Sequence, residues 1–195
     1  MNVPNTLTLS RLVLAVVMMA FLSVNFPFAS TLALLVFVVA GITDYLDGYL
    51  ARNVYGVTSF GSLMDPVTDK VLVCAAFVSF VEVGIVPAWI VVIIISREFL
   101  VTGLRLLAAN KGLMLAAGKW GKHKTIWQII AISALLLGLA VRNDLLRDSG
   151  AELLQDYDFC FGVIALAIAS GVALITMASG ILYFMEHRSV ISGRG

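Results

Sequence analysis

Long apolar runs separated by short polar breaks dominate the chain, at about residues 12–25, 29–43, 71–95, 126–141 and 159–184. A helix needs roughly 20 residues to cross the hydrocarbon core of a bilayer, and runs of this length predict spanning helices. Dividing the longer runs at their polar and turn residues gives about six of them. They are Arg11 to Val24, Ala29 to Arg52, Gly61 to Glu82, Pro87 to Asn110, Thr125 to Val141 and Phe159 to His187. Pro4 and the Asn, Thr and Ser residues of MNVPNTLTLS predict a separate short helix lying at the membrane interface. Gly56 and Gly61 in NVYGVTSFGS mark a turn between the second and third spans. The polar stretch RNDLLRDSGAELLQDYD predicts an exterior loop at 142–158. No repeat or low-complexity segment divides the chain, so residues 1–195 are expected to form one all-α polytopic membrane domain.

Composition agrees with the pattern. The 195 residues are 61% hydrophobic, against roughly 45–50% in soluble domains. The formal charge is only +1, but its distribution is uneven. Arg11, Arg52, Lys70, Arg97, Arg105, Lys111, Lys119, Lys122, Lys124, Arg188 and Arg194 fall near one set of helix ends, and Arg142 and Arg147 near the other. Lys and Arg are retained on the cytoplasmic side, so both termini are expected there. A cleaved signal peptide is a weaker reading of the start, because the first apolar run is followed at once by another. Cys74 and Cys160 sit inside apolar runs and read as packing residues.

Against this background four carboxylates stand out, namely Asp44, Asp47, Asp65 and Asp69. At a bilayer centre each costs about 2.5–3.5 kcal/mol on insertion scales, less near an interface, so four together call for cations. Helical spacing puts Asp44, Gly48, Ala51 and Arg52 on one stripe with Asp47 beside it, and Gly61, Asp65 and Asp69 on a second stripe of the next helix. A short turn predicts that these helices are antiparallel neighbours whose carboxylates converge near the cytoplasmic surface. Oxygen-only donors suit Mg²⁺ or Mn²⁺, and a pair of such ions is the usual device for phosphoryl transfer.

The spacing also meets a longer pattern. Asp44, Asp47, Gly48, Ala51, Arg52, Gly61, Asp65 and Asp69 fill every fixed position of DxxDG, two residues, AR, eight residues, G, three residues, D, three residues, D. This resembles the signature of the CDP-alcohol phosphotransferases. PNTLTLSR, SREFLVTGLR and GKHKT are similar to the branch of that family that forms phosphatidylglycerophosphate. The resemblance implies that the hydroxyl of glycerol 3-phosphate attacks the β-phosphorus of CDP-diacylglycerol and releases CMP. It implies Asp44, Asp47 and Asp65 as metal ligands and Asp69 as general base that also touches the second of two ions. Asn5, Thr8, Gly48, Arg52 and Gly61 would line the CDP site.

An acceptor phosphate would be held by Arg97, Arg105, Lys122 and Lys124, the cations available on the following two helices. Ordinary positive-inside bias competes with that reading for each of the four, and Glu98 reads as a neutraliser of a neighbouring arginine. A homodimer in a bacterial inner membrane is what the resemblance implies, with membrane lipid around it and no nucleic-acid partner. Another acceptor, such as inositol phosphate, serine or phosphatidylglycerol, is compatible with the same aspartates. An intramembrane prenyltransferase fits less well, because it resembles longer chains with two separated Asp-rich motifs. A divalent-cation transporter predicts acids spread through the membrane depth, whereas here they gather beside cations that would repel its cargo.

Overall fold

A computed structural model gives the backbone of residues 3–24, 26–50, 59–110, 119–148 and 150–188. Side chains are described for 9–24, 26–44, 46, 68, 70–109, 124–148 and 150–188. The described chain is all-helical, with α1 Val3–Ser23, α2 Ala29–Leu50, α3 Ser59–Glu82, α4 Ala88–Asn110, α5 Lys119–Ala140 and α6 Ala151–Glu186.

Two expectations about the elements are corrected. No separate interfacial helix precedes the first span, because α1 runs unbroken from Val3. Pro4 falls in its first turn, where the missing N–H would have had no intrahelical partner and the fixed φ suits a helix. The segment 142–158 is not one loop. Residues Val141–Leu145 close a π-helical turn on α5, and Ala151 already begins α6. Ala, Glu, Leu and Gln in AELLQ favour a helix despite their polarity, and Glu152 in the first turn suits the positive end of the helix dipole. At 36 residues α6 is about 54 Å long, well beyond a hydrocarbon core of about 30 Å.

The helices pack as a closed ring in the order α1, α2, α5, α6, α4, α3 and back to α1, with α3 also touching α5. A third expectation changes here. Among the described residues α1 lies against both α2 and α3, so those two are not partners along their length. One core fills the ring, built from Met18 of α1, Phe37 of α2, Phe77 and Phe80 of α3, Ile90 and Ile94 of α4, and Leu135 and Leu139 of α5. Ala33 and Ala40 on α2 and Ala165 and Ala169 on α6 are buried at the contacts, and small residues at such spacings let helix backbones approach closely.

Outward positions are as apolar as inward ones. Val13, Val16, Leu35, Val92, Phe99, Ile130, Val163 and Leu174 are exposed on five helices between them, a surface suited to lipid and not to water. Lys124–Leu145 and Ala151–Glu186 are long and apolar enough to cross a membrane by length and composition, and Leu9–Ser23 and Ala29–Asp44 are shorter apolar stretches.

The ends opposite the aspartates are tied by polar contacts. Asp144 accepts from the Thr31 backbone N–H at 2.7 Å and from its hydroxyl at 2.6 Å, while Asn143 donates to Ser30 at 2.9 Å. Arg142 forks onto Asp158 at 2.5 and 2.9 Å. After α3 the chain reverses through Gly84, whose φ of +82° favours glycine. Ile85 N–H returns to Phe80 C=O and Gly84 N–H to Val81 C=O, the Schellman pairing that closes a helix.

Candidate active site

The signature residues lie where the helix ends place them. Asp44, Asp47 and Gly48 are on the last turns of α2, and Gly61, Asp65 and Asp69 on the first half of α3. Asn5 and Thr8 are on the first turns of α1. Of these eight only Asp44 has a described side chain; the other seven side chains and the whole of Arg52 lie outside the described residues.

Asp44 is half exposed, at 51%, and its Oδ1 stands 2.7 Å from Nη1 of Arg11, which is 1% exposed. Sequence reading had taken Arg11 only as a cytoplasmic anchor. Its position one turn past Thr8, inside PNTLTLSR, was the signal available. A buried guanidinium held against the carboxylate orients it and offsets part of the charge that four aspartates would carry. The donor set fits a hard divalent cation, because Asp44 presents an oxygen donor that is open on one side and fixed on the other. Among the described residues no group of three or more His, Cys, Asp or Glu side chains lies close enough to hold a metal.

A second polar cluster joins α4, α5 and α6. Glu98, 8% exposed, accepts from the ammonium of Lys124, itself 4% exposed, and from Nη1 of Arg97 at 3.4 Å. Nη2 of Arg97 donates to Ser179 at 3.1 Å. Nε of Arg105 donates to the Tyr183 hydroxyl at 3.2 Å, and its guanidinium carbon lies 5.4 Å from the centre of that ring. Arg105 is within electrostatic range of Arg97, and Lys70 of α3 within range of Lys124. Glu98 thus pairs with Arg97 and Lys124, and Arg105 adds a further positive charge beside them. Such a gathering of cations suits a multiply charged anion.

Of the four expected acceptor cations, the structure brings Arg97, Arg105 and Lys124 together, and the Lys122 side chain lies outside the described residues. Glu98 does neutralise Arg97, as its sequence position suggests, but it also holds Lys124 from the next helix. Ser179 and Tyr183 were missed. With Thr176 and Gly180 they form a small or polar buried stripe on an otherwise greasy helix, a pattern legible at three- and four-residue spacing. Beside the cluster an apolar groove of about 450 Å³ opens between α1, α3 and α4, with Met19, Val78 and Phe99 in its wall and Lys70 on its lining.

Comparison with known proteins finds relatives over most of the chain. A family profile described as CDP-alcohol phosphatidyltransferase matches residues 1–181. A Bacillus subtilis protein named CDP-diacylglycerol–glycerol-3-phosphate 3-phosphatidyltransferase is 39% identical over 95% of each chain. Proteins of the same name from Rickettsia bellii and Haemophilus influenzae are 37% and 42% identical, covering 78% and 69% of this chain and 84% and 75% of theirs. With the signature on α2 and α3 and a match over nearly its whole length, the chain belongs to the CDP-alcohol phosphatidyltransferase family.

Proposed function

We propose that the chain transfers the phosphatidyl group of CDP-diacylglycerol to glycerol 3-phosphate, giving phosphatidylglycerophosphate and CMP. The observation that carries the choice of acceptor is the cation cluster of half-buried Arg97 and Arg105 with buried Lys124. An uncharged alcohol offers nothing for an arginine to fork onto and serine only a singly charged carboxylate, whereas the dianion of a phosphate monoester suits two arginines. Relatives over most of the chain carry the corresponding name.

Asp44, Asp47 and Asp65 are assigned as ligands of a divalent pair, Mg²⁺ or Mn²⁺, with Asp69 as the general base and a further contact to the second ion. When bound, the pair would offset the charge on the donor pyrophosphate and stabilise the attacking and leaving oxygens. Arg11 holds Asp44 in place for that task. Asn5, Thr8, Gly48, Arg52 and Gly61 line the CDP site in this reading. Asp69 takes the proton of the acceptor hydroxyl as the new bond from oxygen to the β-phosphorus forms. The bond from that phosphorus to the bridging oxygen breaks, and the oxygen leaves with CMP. A carboxylate is a weak base toward an alcohol, so Arg97 and Arg105 must supply rate by positioning. The groove beside Lys70 suits an acyl chain of the donor.

In this reading residues 1–195 are one domain of six crossings in a bacterial inner membrane. Both termini and the site face the cytoplasm, and the protein works as a homodimer. The deciding assay gives purified protein CDP-diacylglycerol, Mg²⁺ or Mn²⁺ and a panel of alcohols, and scores CMP release. Glycerol 3-phosphate is expected to be the best acceptor; release with inositol phosphate alone would sink that assignment while leaving the chemistry standing. Asp69→Asn should abolish turnover and keep CDP binding, whereas Asp47→Asn should weaken metal and nucleotide binding together. Equal loss of binding in both would argue against a distinct base.

A further inference from the structure

Arg97 owes its position to residues that the family signature does not include. Its aliphatic stem lies over Gly180 of α6, where a Cβ would stand 2.9 Å from Arg97 Cγ and 3.6 Å from its Nε. Its two terminal nitrogens are spoken for by Glu98 and Ser179, while its Nε is buried with no hydrogen-bond partner among the described residues. A buried donor left unpaired is costly, and on an arginine beside a second arginine it points to an anionic acceptor atom. Lys124 is differently placed. With its ammonium on Glu98 and almost no exposure, it holds Glu98 in place, and so belongs to the seat of Arg97.

We propose that Gly180, Ser179 and Glu98 are positioning residues that set Arg97 for a phosphate monoester. The last helix thereby fixes the preference for a phosphorylated acceptor. This rests on the acceptor-phosphate reading of Arg97 and Arg105. Forked recognition of phosphate demands a fixed guanidinium plane, and a displacement of about 1 Å is enough to lose most of the benefit of positioning. Only a residue without a side chain lets the arginine stem lie against α6. A methyl at 180 pushes back on Cγ, the least mobile part of the chain beyond Cβ, and swings the guanidinium away. Glu98→Gln keeps shape and one acceptor but removes the charge that orients both cations.

The test uses full-length protein in lipid nanodiscs, with CMP release as the rate and inorganic phosphate as a competitor of glycerol 3-phosphate. Gly180→Ala and Glu98→Gln should each raise the KM for glycerol 3-phosphate and the inhibition constant of phosphate together, by roughly tenfold or more. The KM for CDP-diacylglycerol should stay within about twofold. Ser179→Ala should move the same two constants by a smaller factor. If Gly180→Ala and Glu98→Gln leave both constants unchanged while Arg105→Ala raises them, the positioning role is overturned and the acceptor reading stands. If Arg105→Ala leaves them unchanged too, the acceptor reading itself fails. Should Glu98→Gln fold poorly, Glu98→Gln/Lys124→Met removes both charges at once. A stable double variant with the wild-type acceptor KM would show the pair to be structural only.

Discussion

At 1% exposure the guanidinium of Arg11 sits inside the bundle with Asp44 at 2.7 Å, so the first aspartate of the signature has a structural partner as well as a chemical task. Asp44→Asn should therefore lower stability by about 1.5–3 kcal/mol, the range for a hydrogen bond to a charged group. Thermal unfolding in detergent, monitored by helical circular dichroism, checks this; a midpoint equal to that of the unsubstituted protein would remove the structural role of Asp44. The Glu98–Lys124 pair behaves differently because both ends are buried. Lys124→Met leaves Glu98 with Arg97 alone and should cost about 3–5 kcal/mol, most of it regained when Glu98→Gln is added. A double-mutant cycle on the same unfolding signal measures that coupling, and additive losses would mean the two side chains do not interact.

Individual helices are held at their ends by neighbours in space more than by neighbours in sequence. α2 begins at Ala29, yet the oxygen that caps its first turn comes from Asp144, more than a hundred residues later. Asp144→Ala should cost about 0.5–2 kcal/mol as a lost cap, and Thr31→Val should recover little of it because the backbone N–H stays unpaired. Loss of Asp158 should matter less, since its fork with Arg142 is more than a third exposed. At the other turn, Gly84→Ala places a Cβ on a residue at φ +82° and should cost about 1–2 kcal/mol. An unchanged melting point there would mean that the turn relaxes to another conformation.

For the molecule as a whole, the ring order sets α5 of the cation cluster beside α2, and α4 of the same cluster beside α3. α1, packed against both α2 and α3, supplies Arg11 to the signature. The two halves of the proposed site thus come from different arcs of one ring, which is why no single segment of sequence contains it. The charge bias makes a testable prediction of topology. In a Cys74→Ser/Cys160→Ser background, a cysteine at Asp148 should react with a membrane-impermeant maleimide in intact cells. One at Arg188 should react only after the membrane is opened. The reverse pattern would invert the orientation and with it the cytoplasmic site.

Helix number and boundaries were largely legible, because runs of about 20 apolar residues leave the backbone of a lipid-exposed segment few alternatives to a helix. The aspartates drew attention for the same reason, since charge inside such runs needs an explanation; of the four, the described side chains include only Asp44. The continuity of α1 and the helical start of α6 were misread, because polar residues there were taken as breaks although Pro4 and AELLQ are compatible with a first turn. The sequence by itself thus determined an all-helical chain with spans apolar enough for a membrane, and the family signature it carries. Only the tertiary structure decided that α1 lies between α2 and α3, that Arg11 serves Asp44, and that Glu98 gathers Lys124 while Ser179, Gly180 and Tyr183 seat two arginines. Local pattern fixes which residues are apolar and which form helix, whereas the choice of partner depends on how helices that are apolar on every face pack, and no periodicity along one helix encodes that.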